Sequence, residues 1–203
     1  MHDFASKLPN TATSIFTYMS RLALQHEAIN LSQGFPDFDC SPRLIALVEQ
    51  YLHAGHNQYA PMAGVRALRE QISMKVAATL GVTYDVETEI TVTAGATQAL
   101  FTVIAALIRP GDEVILFEPA YDAYAPAVQV FGGIPKPVTL YASDFEIDWD
   151  AVTALLTPRT RLVVINSPNN PTARTMTDTD YRQLIRIIRD TDCYVLSDEV
   201  YEH

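Results

Sequence analysis

The sequence predicts an α/β protein: an open, mostly parallel sheet with helices on both faces. Two patterns predict it. From residue 89 onward, short apolar runs alternate with segments of helical period. The runs themselves (VILF, LVVI, YVL) are continuously apolar, as expected of strands whose two faces are both covered by helices. The chain has 203 residues and is 48% hydrophobic, which is enough to bury the core such a sheet needs.

Taken in order, the predicted strands are EITVTAG (89–95), DEVILFEP (112–119), GIPKPVTLY (133–141), RLVVINSP (161–168) and CYVLSDE (193–199). The helices between them span 96–108, 121–132 (with Pro126 tolerated or bending it), 148–157 and 177–191. Upstream, residues 14–28 carry apolar positions at helical spacing behind Ser14, a good N-cap. INLSQGFPDFDCSP (29–42) reads as a short strand breaking into a Gly/Pro loop. A helix over 42–54 is closed by Gly55, and another over 65–81 ends on Gly81.

Composition excludes several function classes. The net charge is −10, and no basic cluster is longer than two residues, so nothing in the chain suits a phosphate backbone of nucleic acid. No apolar run approaches the ~20 residues of a membrane span. The start, MHDFASKLPN, lacks the layout of a signal peptide, and the two cysteines, Cys40 and Cys193, are far apart. The expectation is a reducing, cytoplasmic setting with two free thiols. His53 and His56 read as an exposed helix end, not a metal site. Arg66, Arg69, Arg182, Arg186 and Arg189 read as solvated helix faces, and Trp149 as packing at a helix start.

In open α/β sheets ligands sit beyond the carboxyl ends of the strands, so the residues just after each apolar run carry the chemistry. TAGATQAL (93–100) supplies Gly95 for a tight turn, and Ala96 and Thr97 at a helix start, whose N–H groups and dipole suit an anion. FEPAYDAY (117–124) brings Tyr121 to the crevice, where an aromatic ring can stack on a flat ligand. NSPNNPTA (166–173) is more elaborate than a turn requires, and Asn170 is held out of the α region by Pro171. The last strand ends in Asp198, followed by Tyr201. A carboxylate there needs a cationic partner or several donors. Glu199 points to the other face. An alternative use of such a scaffold is a nucleotide- or S-adenosylmethionine-binding module, with Glu118 on a ribose; NSPNNPT has no purpose in it.

Together and in this order, TAGATQAL, EPAYDAY, NSPNNPT and SDEVYEH resemble the class I aminotransferases, pyridoxal-phosphate (PLP) enzymes of fold type I. The likeness is greatest to the branch of kynurenine/glutamine transaminases and methionine aminotransferases. INLSQGFPDFD (29–39) and NQYAPMAGVRALRE (57–70) extend it, so it covers residues 14–203. The resemblance implies that Gly95, Ala96 and Thr97 bind the cofactor phosphate and that Tyr121 stacks on the pyridine ring. It implies that Asn170 and Tyr201 bond the phenolic oxygen, and that Asp198 pairs with the protonated ring nitrogen. Gly34 would lie against the substrate, and Tyr59 would enter the site of the other subunit of a homodimer. The peptide bonds before Pro119 and Pro171 would be cis. Residues 1–41 would form an N-terminal arm and substrate loop, part of a small domain, and 42–203 an incomplete PLP-binding large domain. The substrates implied are an amino acid, of methionine, aromatic or kynurenine type, and a 2-oxo acid. A C–S lyase on the same scaffold is the alternative within the family. A short non-catalytic dimerisation partner is another.

Two positions depart from the family pattern. Many relatives carry Gly where Ala173 stands; if that turn needs positive φ, alanine there costs about 1 kcal/mol, and the expectation is a shifted turn with no chemistry lost. The Schiff-base lysine is missing: the lysines are Lys7, Lys75 and Lys136, and none follows Asp198. The sequence thus resembles the N-terminal half of a protein about twice as long, and the expectation is that this chain alone does not transaminate.

Overall fold

The computed structural model describes residues 5–9, 11, 13–34 and 36–202. It has two compact units, Thr13–Thr93 and one built on Ala94–His203.

The Thr13–Thr93 unit is helical. Ser14 caps α1 (Ile15–Gln25), its side chain accepting from Thr17 N–H. Pro at the first position opens α2 (Pro42–His53). Gly81 ends α3 (Arg66–Leu80) in the left-handed region, at φ 69°. Two corrections to the sequence reading fall in or border on this unit. The segment from Ile29 and the segment 89–95 form no ladder. A strand exists only with a partner, and Val92 N–H bonds instead to the carbonyl of Ala63, in a loop. Arg69 is not on a solvated face. It is buried, donating from Nε to the Gly64 carbonyl at 3.1 Å and from Nη1 to the Val86 carbonyl, with Glu87 3.6 Å away. A guanidinium has donors enough to tie two loops to one helix.

The second unit is the α/β sheet. Among the described residues its strands are β1 (Glu113–Glu118), β2 (Ile134–Thr139), β3 (Thr160–Asn166) and β4 (Tyr194–Asp198). They lie in the order β2-β1-β3-β4, and every pair is parallel. The expected sheet is therefore present with one strand fewer than the sequence suggests. Side chains alternate between two cores, as the pleat dictates. Val114, Leu116, Leu162, Val164 and Leu196 pack with α4 (Ala96–Leu107) and α5 (Tyr124–Val130). Ile115, Phe117, Val163 and Ile165 pack with α6 (Trp149–Leu155) and α7 (Asp178–Ile188). The apolar runs are continuous because both faces are covered. β2 carries Pro135 and Pro137 and pairs only with β1, the edge position where proline is tolerated.

The helix predicted from residue 121 starts at Tyr124, which puts Pro126 in the first turn, where its missing N–H has no helical partner to lose. α7 opens on a capping box, Thr177 with Asp180, and Trp149 Nε1 donates to the same Asp180 at 3.0 Å.

Candidate functional site

The chain runs from β1 outward to β2, then returns past β1 to β3 and β4, so the strand order reverses between β1 and β3. A crevice opens at the carboxyl ends on either side of such a reversal. The residues after β1, β3 and β4 meet there around a cavity of about 290 Å³.

On one wall is the start of α4. Gly95, at the N-cap, holds φ 85°. Ala96 and Thr97 line the cavity. The first N–H groups of a helix have no intrahelical partner, and the dipole there favours negative charge. Thr97 Oγ1 lies 3.3 Å from Tyr121 Oη, so the hydroxyl and the ring mark the same corner. Asn170, Asp198 and Tyr201 line the remaining walls.

Asp198 is the centre of the polar network. It is the last residue of β4, only 8% exposed, and in register with Asn166 at the end of β3. Its Oδ2 accepts from Tyr124 Oη at 2.6 Å, and its Oδ1 from Val200 N–H at 3.1 Å. Asn166 then ties strand to loop. Its Nδ2 donates to the Asp198 carbonyl at 2.9 Å, and its Oδ1 accepts from Asn170 N–H at 2.6 Å. Asn170 is thus anchored through its backbone, with its side chain on the cavity wall. Burial, reinforced by the Asp198 carboxylate, pushes the Tyr124 phenol far above its ordinary range, so this hydroxyl stays a donor. Among the described residues no Lys or Arg lines the cavity, and the partners of the carboxylate there are neutral.

The structure brings Ala96, Thr97, Tyr121, Asn170, Asp198 and Tyr201 together, with Gly95 at the cap. Gly34 and Tyr59 belong to the other unit, where the Tyr59 side chain is fully exposed and a Cβ added at Gly34 would meet nothing within 4 Å. Sequence reasoning missed Tyr124 and Asn166. Tyr124 stands three residues after Tyr121 in YDAY, and Asn166 opens NSPNNPT, so both were adjacent to residues already singled out. Peptide bonds before Pro119 and Pro171 are cis, and so is a third, Ser167–Pro168.

The donors fit PLP. A helix start suits its phosphate, a tyrosine its flat ring, and a buried carboxylate its pyridinium. Among the described residues no cluster of His, Cys, Asp and Glu could hold a metal ion, and no helix is long and apolar enough to cross a membrane.

Comparison with known proteins agrees with this geometry. Residues 26–203 match the family model "Aminotransferase class I and II". The methionine aminotransferase of Escherichia coli (strain K12) is 52% identical over 198 residues, which are 98% of this chain and 51% of that protein. Kynurenine–oxoglutarate transaminase 1 of Rattus norvegicus is 32% identical over 212 residues, covering 98% of this chain and 50% of its own length. The crystal structure of an Escherichia coli protein with methionine aminotransferase function superposes with a TM-score of 0.96 at 51% identity, covering 100% of this chain and 53% of that one. The chain spans about half the length of the curated relatives it matches. With the strand-end motifs, the parallel sheet and the family match in agreement over the same residues, the chain belongs to the class I and II aminotransferases.

Proposed function

We propose that this chain forms the cofactor-binding part of a PLP-dependent aminotransferase that moves an amino group between an amino acid and a 2-oxo acid. The observation that carries the reading is Asp198: a buried carboxylate held by two donors, on a cavity that also contains a helix start and an aromatic ring. When bound, PLP supplies an electron sink for breaking the Cα–H bond of an amino acid, and it does so best with its ring nitrogen protonated.

The chain's own residues then have these roles. The N–H groups at Gly95, Ala96 and Thr97, with the Thr97 hydroxyl, hold the phosphate. Tyr121 stacks on the ring. Asn170 and Tyr201 donate to the phenolic oxygen. Asp198 holds the proton on the ring nitrogen. Contact between opposite charges at ~4 Å is worth about 4 kcal/mol at an effective dielectric near 20. Gly34 lies against the substrate, and Tyr59 reaches the site of the other subunit in a homodimer. Residues 1–41 belong to a small domain and 42–203 to the PLP-binding domain. No lysine is among the described residues that line the cavity, and Lys136 lies 3.5 Å from Glu113, at the start of β1. In this reading the amine that would hold PLP comes from outside residues 1–203, and these residues alone do not transaminate. The likeness to the methionine and kynurenine enzymes points to a thioether or aromatic amino donor, in the cytoplasm.

The test is to give the full-length protein PLP, L-methionine and a 2-oxo acid. A new amino acid should form, with a visible cofactor band that bleaches with the donor. Asp198→Ala should lower kcat/KM by about a thousand-fold, the rate equivalent of about 4 kcal/mol. Release of ammonia with no need for an acceptor would replace this reading with elimination. Failure to bind PLP at all would overturn it.

A further inference from the structure

Resting on the PLP reading, we propose that Tyr124 is a positioning residue for the cofactor: its hydroxyl orients the Asp198 carboxylate and keeps the proton shared with the pyridine nitrogen on the nitrogen. Four observations lead there. The Tyr124 Oη to Asp198 Oδ2 distance is 2.6 Å, in the short range of charge-assisted hydrogen bonds. Both side chains are buried, at 3% and 8% exposure, so water does not compete. The residues are 74 positions apart, on the first residue of α5 and the last of β4, so the bond joins a helix to the strand end. The ring of Tyr124 also meets that of Tyr121 edge-on, with centroids 5.7 Å apart, so one side chain sets both the carboxylate and the stacking tyrosine.

A carboxylate left with a single backbone donor is free to turn and is a stronger proton acceptor. A phenol donating to Oδ2 removes both freedoms. It draws charge from the carboxylate, so a proton lying between that carboxylate and a ring nitrogen stays with the nitrogen. Among the described residues, the titratable side chains lining the cavity are Tyr121, Tyr124, Tyr201 and Asp198 itself, with no cation to duplicate this effect.

The probe is pyridoxal 5'-phosphate labelled with 15N in the ring, bound to the full-length protein. In wild type the 15N resonance should lie in the pyridinium region, and in Asp198→Asn it should move to the neutral-pyridine region. Tyr124→Phe keeps the buried ring and removes only the hydroxyl. It should shift the resonance partway toward neutral pyridine and weaken cofactor affinity by about ten-fold or less. A 3-fluorotyrosine placed at 124, a stronger donor of nearly the same shape, should move it the opposite way. It provides the test should Tyr124→Phe fail to fold. A wild-type resonance already in the neutral region, or insensitivity to Asp198→Asn, sinks the PLP assignment itself. A normal response to Asp198→Asn with no response to either change at Tyr124 sinks this inference alone.

Discussion

Glu113 and Asp198 are both buried carboxylates, at opposite ends of the parallel strands, and their surroundings assign them opposite work. Glu113 opens β1 at 1% exposure and is fully paired. Arg159 Nη2 donates at 2.6 Å, Thr157 Oγ1 at 2.7 Å, and Lys136 Nζ lies 3.5 Å away. The Arg159 hydrogen bond, then that from Thr157, pull its carboxyl down to about 2. A depressed folded value means the carboxylate stabilises the fold above the ordinary 4.5, and this contribution is lost as pH falls toward 2. Glu113→Gln should therefore lower stability at pH 7 by about 1–3 kcal/mol in urea titrations. The gap from wild type should narrow between pH 4.5 and pH 2. Asp198, by contrast, has no cation among the described residues that line its cavity. Sequence alone could not separate the two acids, because partners such as Arg159 and Tyr124 lie 46 and 74 residues away.

At the level of elements, the loop after β3 is where local conformation and function meet. Ala173 adopts φ 59°, the left-handed region, where the sequence reading expects a shifted turn that avoids it. Its N–H bonds back to the Asn169 carbonyl at 2.8 Å, and Asn169 N–H bonds to the Arg174 carbonyl at 2.8 Å, so the turn is closed on itself. A Cβ in that region costs about 1 kcal/mol, and Ala173→Gly should recover roughly that amount in thermal or urea denaturation, with cofactor binding unchanged. A measured loss of stability would show that the turn relaxes around the methyl group. The helix boundaries were legible to within a few residues because capping and turn residues act locally: Ser14, Gly81 and Thr177 each mark an end in the structure. The strands at 29 and 89–95 were not, because β-alternation is only a capacity to pair, and pairing depends on a neighbour far along the chain.

At the scale of the whole molecule, one sheet serves two cores, and the cavity rests on one of them. Leu162 and Ile115 are fully buried on opposite faces of adjacent strands. Truncating either to alanine should cost about 2–5 kcal/mol in chemical denaturation of the full-length protein. Leu162→Ala belongs to the core that includes Leu100 and Tyr124, two cavity-lining residues, and should also weaken PLP binding. Ile115→Ala acts from the other face and should leave binding largely intact. Equal effects on binding would show that the two faces are not separable.

The sequence by itself determined the fold class, the places where strands end, and the residue types waiting there, because periodicity, turn chemistry and motif order are properties of neighbouring residues. Only the tertiary structure decided which of these residues share one cavity, that Arg69 is buried, that four strands pair and a fifth does not, and that Tyr124 holds Asp198. Those outcomes rest on strand order and register, which join groups distant along the chain.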